Sequence, residues 1–204
     1  MQFTRTLRLA AVAVAALSLQ SAFADEGPFM VRVRAVHLDS ANKDSTGLGL
    51  SVNNKWIPEA DFSYFFTPNI AAELILTYPQ KHTLYSNGTE IGSLKHLPPT
   101  LTAQYHFNPT GTIRPYIGAG VNYTNFSSVH FAPAVQTALH PSIKHNSYGL
   151  AGQIGVDIEV AKNLYLNFDV KKVNIETKVY SSGTQVGKFK VDPTLASVGL
   201  GWRF

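Results

Sequence analysis

Charged side chains recur at every second position of segments that are otherwise apolar. In VRVRAVHL, residues 31–38, Arg32 and Arg34 alternate with valine and alanine. An extended strand points successive side chains to opposite faces, so the two arginines share one face and the apolar residues the other. Later alternating segments carry carboxylates on the corresponding face. The charged residues of this face are Arg32, Arg34, Asp61, Glu73, Asp157, Asp169 and Arg203.

The mixed charge of this set, named here the charged plug, predicts ion pairing. Acidic and basic groups gathered in a tight interior satisfy one another, whereas an unpaired buried charge is strongly unfavourable. We therefore interpret the charged plug as structural. No spacing joins a serine nucleophile to a base, and His130, His140 and His145 lack the acidic neighbours of a firm metal site. We expect no catalytic residues, no metal and no cofactor, so the protein is not an enzyme.

The N-terminus has the pattern of a secretory signal peptide. Two arginines precede an apolar run over residues 9–19, and the sequence AFA follows at 22–24. The run of eleven residues is shorter than the about 20 that a helix needs to cross a bilayer. We predict that residues 1–24 form a cleaved signal peptide and that residues 25–204 form one domain.

Composition excludes several other classes of protein. The chain has no cysteine, which removes disulfides and thiol chemistry. Its formal charge of +4 falls to +2 once Arg5 and Arg8 are removed with the signal peptide, so nucleic acid is not an expected partner. Beyond the signal peptide no segment has 18 consecutive apolar residues, so we expect no transmembrane helix.

Eight segments alternate with period two, which is the periodicity of strands. They are residues 31–38, 56–66, 70–78, 100–107, 114–126, 147–160, 164–172 and 196–204. The connections 67–69, 108–112 and 161–163 are short, whereas 39–55, 79–99, 127–146 and 179–190 are long. An even number of strands with short turns on one side and long loops on the other is typical of outer-membrane barrels. We predict an all-β fold, an eight-stranded antiparallel transmembrane β-barrel with short periplasmic turns and long extracellular loops.

A soluble sandwich is the alternative architecture, and the aromatic residues argue against it. They cluster at the strand ends, as expected for two girdles at two membrane interfaces. We place Trp56, Tyr78, Tyr123, Phe126 and Tyr148 at one rim, and Phe66, Phe107, Tyr165, Trp202 and Phe204 at the other. The terminal aromatic residue also resembles the signal that the outer-membrane insertion machinery recognises. Trp202 and Phe204 are thus the candidate assembly signal, and membrane lipid and that machinery are expected partners.

The sequence resembles the OmpW family of small outer-membrane barrels over essentially the whole mature chain. The resemblance is carried by HLPPTLTAQYHFNPTGTIRPYIGAGVNYTNF (96–126), MVRVRAVHL (30–38), AAELILTYPQKH (71–82), AGQIGVDIEV (151–160) and VDPTLASVGLGWRF (191–204). It implies an eight-stranded barrel in the outer membrane of a Gram-negative bacterium, uptake of small and mostly hydrophobic compounds, and in some members a role as a bacteriocin receptor. The inward tryptophan that constricts many members has no counterpart here, because we place Trp56 at the rim and Trp202 toward lipid.

Apolar inward residues lie above the charged plug, and an apolar concave pocket is the usual ligand site. This apolar collar consists of Val36, Leu38, Ile57, Ile75 and Leu195. An apolar collar over a charged plug admits a hydrophobic solute from outside and stops it from passing straight through. The alternative is that these side chains only fill the interior of a small barrel.

Three prolines suggest where a solute would leave. Pro79 ends the third predicted strand, and Pro98 and Pro99 begin the fourth, so neither side can donate a ladder hydrogen bond there. We predict a lateral seam at these residues, the alternative being that they merely end strands. The expected function is passive uptake of small hydrophobic solutes with lateral release into the membrane. A structural, adhesive or receptor barrel with a sealed lumen is the alternative, and a membrane-embedded hydrolase or acyltransferase is a more distant one.

Overall fold

Eight long antiparallel strands form a closed barrel in the computed structural model, which describes residues 26–204. The signal peptide predicted for residues 1–24 lies outside this range. The barrel strands are β1 (Phe29–Asp39), β4 (Lys55–Phe65), β5 (Ile70–Leu76), β8 (Thr100–His106), β9 (Ile113–Phe131), β11 (Asn146–Ala161), β12 (Leu164–Val173) and β15 (Thr194–Arg203). β1 pairs with β15 from Met30–Arg203 to Asp39–Thr194, and β9 pairs with β11, which closes the ring of eight strands. The predicted fold class is confirmed.

The burial pattern of the strands is the reverse of that in a soluble protein. In β1 the side chains of Arg32 and Arg34 are buried, while Val33 between them is 53% exposed. On the far wall Leu150 and Ile154 are 68% and 62% exposed. Because apolar side chains cover the outside and polar side chains fill the inside, the solvent of this surface is the hydrocarbon of a membrane.

The connections at the two ends of the barrel differ in length and in structure. At the end where the chain terminates, β4–β5, β8–β9 and β11–β12 are joined by short turns. At the other end the long connections contain β2 (Lys43–Asp44), β3 (Leu50–Val52), β6 (Gln80–Ser86), β7 (Thr89–Leu97), α1 (Pro133–Leu139), β10 (Pro141–Ile143), β13 (Glu176–Ser181) and β14 (Thr184–Lys190). No helix among residues 26–204 is long and apolar enough to cross a membrane.

The extracellular strands continue the barrel instead of forming separate loops. β3, β6 and β7 pair in that order and join the upper part of β9, which extends one wall of the barrel. β10, β13, β14 and β2 form a second sheet of four strands. An apolar core fills the space between these sheets and the top of the barrel, and it includes Phe126, Leu84, Leu94, Ile175 and Phe189.

Two of the residues predicted for the aromatic girdles lie inside the barrel. Phe126 and Tyr165 are each 1% exposed, so their assignment to the membrane surface is wrong. The reason is strand parity, because Phe126 points inward with Thr124, and Tyr165 points inward with Asn167. The remaining girdle residues of the outer rim, Trp56, Tyr78, Tyr123 and Tyr148, are exposed as predicted.

Candidate functional site

Arg32 is at the centre of a buried network inside the barrel. Its guanidinium donates to both carboxylate oxygens of Asp157, from Nε at 3.1 Å and from Nη2 at 2.7 Å. Nη1 donates to Asp61 at 3.1 Å and to the hydroxyl of Ser63 at 2.9 Å. The paired donation to Asp157 is the strongest geometry for an arginine–carboxylate contact and holds β1 to β11 across the lumen.

Arg34 extends the same network toward the extracellular side. Its guanidinium lies 3.1 Å from Glu59, 2.5 Å from Asp61 and 2.8 Å from Glu73. Lys171 Nζ approaches the same Glu59 at 3.2 Å. We name the complete set the ion-pair network; it comprises Arg32, Arg34, Lys171, Glu59, Asp61, Glu73, Asp157 and Asp169.

Neutral donors complete the network, since it holds five carboxylates and three cations. The hydroxyl of Tyr116 donates to Asp169 at 3.0 Å, and Gln153 Nε2 donates to Glu73 at 2.7 Å. Asn167 Nδ2 donates to Asp157 at 2.9 Å. These contacts cross the barrel from several strands, so the network fills the middle of the lumen.

Sequence reasoning left three members of this region out of the charged plug and grouped Arg203 with residues that it does not pair with. Glu59, Lys171 and Tyr116 were not assigned to the charged plug, although inward parity is the signal that identifies all three. Arg203 is inward as predicted but lies outside the network. Its Nη1 is 3.2 Å from Glu26, and its guanidinium lies 3.9 Å from the ring centre of Phe65.

Glu26 organises a second, smaller cluster at the periplasmic end. Both of its carboxylate oxygens accept from Arg114, at 2.7 and 2.6 Å, and it also accepts from the hydroxyl of Tyr165 at 2.8 Å. The hydrogen bond from Arg114 holds the pKa of this carboxyl below its usual value, against the opposing effect of burial. The cluster ties the segment that precedes β1 across the mouth of the barrel to β9, β12 and, through Arg203, β15.

All five residues of the apolar collar are buried. Leu38, Ile57, Ile75 and Leu195 line one small cavity above the ion-pair network. Glu59 and Lys171 also line it, and its volume is about 20 Å³, which is room for about one water molecule. The lumen is therefore packed in this conformation, with the apolar collar closed over the network.

The ladder between β5 and β8 stops where the prolines begin. The last pair is Ile75–Thr100, and pairing resumes only at Gln80–His96, between β6 and β7. In the described part of the chain no backbone hydrogen bond joins residues 76–79 to residues 97–99. We name this interruption the β5–β8 break.

The two prolines of the fourth strand are anchored on their other side. The carbonyl of Pro99 accepts from the backbone N–H of Tyr123 at 3.1 Å, and Asn122 Nδ2 donates to the carbonyls of Pro98 and Pro99 at 3.2 and 3.1 Å. Pro98 and Pro99 therefore belong to the wall formed with β9, and the break faces β5. Pro79 is exposed on the opposite side of the break.

The β5–β8 break lies between the internal cavity and a groove on the outside of the barrel. Leu76, Thr77 and Pro98 line the cavity where it reaches the break. Outside, a groove of about 700 Å³ runs over β8, β9 and β11, with Pro99 at its upper edge. Thr100 lines both spaces, so the cavity and the groove lie on the two sides of the same strand.

The inner face of the β6–β7 hairpin carries two imidazoles in contact above the cavity. The rings of His82 and His96 are 4.5 Å apart, and His82 Nδ1 lies 3.0 Å from the carbonyl oxygen of Asn53. Burial lowers the pKa of His82 to about 4 and that of His96 to about 3, so both are neutral at pH 7. Residues 26–204 contain no group of three histidine, cysteine or acidic side chains placed to hold a metal ion.

A closed eight-stranded barrel with an apolar exterior, a packed polar interior and short turns at the end bearing the C-terminus defines a small outer-membrane barrel protein. The chain belongs to the OmpW family, whose model matches residues 25–204. It is 40% identical to the uncharacterized outer-membrane protein y4mB of Sinorhizobium fredii over 87% of this chain and 80% of that protein. It is 35% identical to outer membrane protein W of Escherichia coli over 98% of this chain and all of the relative.

Solved structures agree with this assignment. The crystal structure of the outer membrane protein OprG from Pseudomonas aeruginosa is similar with a TM-score of 0.75 and 28% identity, over 88% of this chain and 97% of that one. The relatives are outer-membrane proteins of Gram-negative bacteria, and the fold is that of an outer-membrane barrel. The protein therefore lies in the outer membrane, in contact with its lipid.

Proposed function

We propose that the barrel takes up small hydrophobic solutes passively, without catalysis, and releases them sideways into the outer membrane through the β5–β8 break. The observation that carries the proposal is the position of Thr100, which lines both the cavity above the ion-pair network and the groove on the outer wall. Thr100 forms the last pair of the ladder between β5 and β8, so the cavity and the groove approach each other beside the β5–β8 break.

The ion-pair network supports a lateral route over a straight one. Arg32, Arg34, Asp61 and Glu73 have fully buried, mutually paired side chains. An apolar solute moving down the lumen would have to separate these charges without supplying any replacement hydrogen bond, which is strongly unfavourable. The apolar collar presents no such barrier.

Passage also requires movement, because the cavity holds only about 20 Å³. Opening the wall elsewhere breaks a continuous ladder of backbone hydrogen bonds, each of which is left unsatisfied in lipid. At the β5–β8 break no ladder bonds join residues 76–79 to residues 97–99, so separating the two sides leaves no new unpaired backbone group there.

A disulfide across the break tests the lateral route. Thr77 and Pro98 line the cavity from the two sides of the break, and the native chain has no cysteine to interfere. With Thr77→Cys and Pro98→Cys, oxidation should lower the uptake of n-octane into proteoliposomes several-fold, and reduction should restore it. Each single cysteine variant is the matched control and should respond to neither treatment.

A second pair of variants tests the apolar collar. Ile75→Asp places a carboxylate in the collar, and its desolvation should oppose entry of n-octane and lower uptake. Ile75→Val keeps the site apolar and should retain uptake. If the solute instead passes straight through, the disulfide would have no effect, and Glu73→Ala, which opens the ion-pair network, would raise the flux.

A sealed structural or receptor barrel is the second candidate, and the cavity volume of about 20 Å³ favours it. On this alternative, wild-type proteoliposomes take up n-octane no faster than protein-free liposomes, and none of the variants changes the rate. That result would refute the uptake proposal as a whole.

A further inference from the structure

The outer face of β6, β7 and β9 carries an ordered array of polar and basic side chains. Lys81 lies directly opposite Lys95, and Lys95 lies directly opposite Ser127. In the next row Thr83 faces Ser93, and Ser93 faces His130. Residues directly opposite in an antiparallel ladder point to the same face, so these side chains share one surface. The basic patch is this set: Lys81, Thr83, Ser93, Lys95, Ser127 and His130.

The positive charge of the basic patch is not compensated within the protein. Like charges directly opposite in a ladder repel one another, and both Lys81 and Lys95 are exposed. A third ammonium lies at the same edge, because Lys55 Nζ donates to the carbonyl of Lys81 at 3.1 Å. Among residues 26–204 none of these three lysines forms an ion pair with a carboxylate. The array is suited to an external anion.

The height of the basic patch places it at the polar surface of the membrane. Ser127 follows the exposed girdle residue Tyr123 by four positions in β9, which corresponds to about 13 Å along the strand. Lys81 follows the girdle residue Tyr78 by three positions. Because girdle tyrosines mark the level of the lipid headgroups, Lys81 and Lys95 lie on the extracellular side of that level, where their long side chains have room to extend toward the headgroups.

An apolar groove lies on the same wall below the basic patch. It has a volume of about 700 Å³, and Leu101, Val121 and Leu150 are among its lining residues. Tyr123 and Tyr148 line it at the girdle. A free anion would use only the patch, whereas a ligand with a phosphate and an acyl chain would use both surfaces. The combination therefore favours a lipid.

We propose that the basic patch and the groove below it bind a phosphorylated glycolipid of the outer leaflet. The ammonium groups of Lys81 and Lys95 pair with a headgroup phosphate, and the hydroxyls of Thr83, Ser93 and Ser127 donate to its oxygens. One acyl chain lies in the groove. The groove is the one that borders the proposed exit at Thr100, but lipid binding at the outer surface needs no movement at the β5–β8 break and is measured without any uptake assay.

The test measures binding of bisphosphorylated lipid A to the purified full-length barrel in a neutral detergent. The variant is Lys81→Gln with Lys95→Gln, and the matched control is Lys43→Gln with Lys162→Gln, which removes the same charge from exposed positions elsewhere. Near an anionic lipid each lysine contributes a factor of about five, so the variant that lacks two lysines should bind about 25-fold more weakly than the wild type. The control should bind within about twofold of the wild type, and folding of each variant is checked by its heat-modifiable band.

Three outcomes would overturn the proposal. The first is equal affinity of the wild type and the patch variant for lipid A. The second is an equal loss in the control pair, which would assign the effect to net charge. The third is complete displacement of lipid A by inorganic phosphate at about the phosphate concentration that saturates the patch alone, which would make the patch a site for free anions.

Discussion

Replacing Arg34 by leucine should destabilise the folded barrel strongly. The arginine side chain is fully buried, and it is the partner of Glu59, Asp61 and Glu73 at 3.1, 2.5 and 2.8 Å. Leucine replaces the apolar part of the side chain, but the three carboxylates lose the guanidinium that all of them contact. The network already holds two more carboxylates than cations, so the substitution increases an existing imbalance.

Breaking a buried ion pair by removing one partner costs about 3–5 kcal/mol. With a urea dependence of about 2 kcal/mol per molar, this shifts the unfolding midpoint down by roughly 2 M. The assay is urea unfolding of the barrel in lipid vesicles, followed by tryptophan fluorescence and by the fraction that migrates as the folded band in unheated gels.

Two further variants separate pairing from a general loss of charge. Lys188→Leu removes a cation from the exposed pair with Glu176, whose side chains are 44% and 39% exposed, and should change the free energy of unfolding by less than about 1 kcal/mol. Arg34→Leu combined with Glu73→Leu removes both partners and should recover part of the lost stability. An unfolding midpoint for Arg34→Leu equal to that of the wild type would show that the pairing argument is wrong.

Two other perturbations concern the C-terminal residue and the β6–β7 hairpin. Deleting Phe204 removes the backbone hydrogen bonds exchanged with Phe29, at 2.8 and 3.0 Å, together with the candidate assembly signal, and should lower the yield of the heat-modifiable folded form in cells, whereas Phe204→Tyr should keep it. Because burial depresses the pKa of His82 to about 4 and of His96 to about 3, from about 6.5 when unfolded, the unfolded hairpin binds more protons below pH 6.5. The contribution of the two histidines to the stability of β6–β7 is therefore full above that pH and falls as the pH drops toward 4. Protease sensitivity of the hairpin measured across this pH range should report the loss. The variant His96→Phe should show a weaker pH dependence, and pH profiles that are identical in the variant and the wild type would contradict the account.

The sequence by itself determined which side chains lie inside the barrel and which meet lipid. Alternation is a local property of an extended chain, so the inward positions of Arg32, Arg34 and Ile75 follow from neighbouring residues alone. The eight strands and the lengths of their connections follow for the same reason. The errors at Phe126 and Tyr165 arose where aromatic type was given more weight than parity, which in both cases points inward.

Only the tertiary structure decided which inward residues meet. Arg32 and Asp157 are 125 positions apart, and their contact depends on strand register around the closed ring. Parity alone could not separate Arg203, which lies lower in the barrel with Glu26, from Arg32 in the ion-pair network. The prolines are visible in the sequence, but the sequence does not show where pairing stops. In the structure the ladder between β5 and β8 ends at Ile75–Thr100, and above it the β6–β7 hairpin pairs with β9. Pairing partners across a barrel are fixed by its closure, and closure is a property of the whole chain.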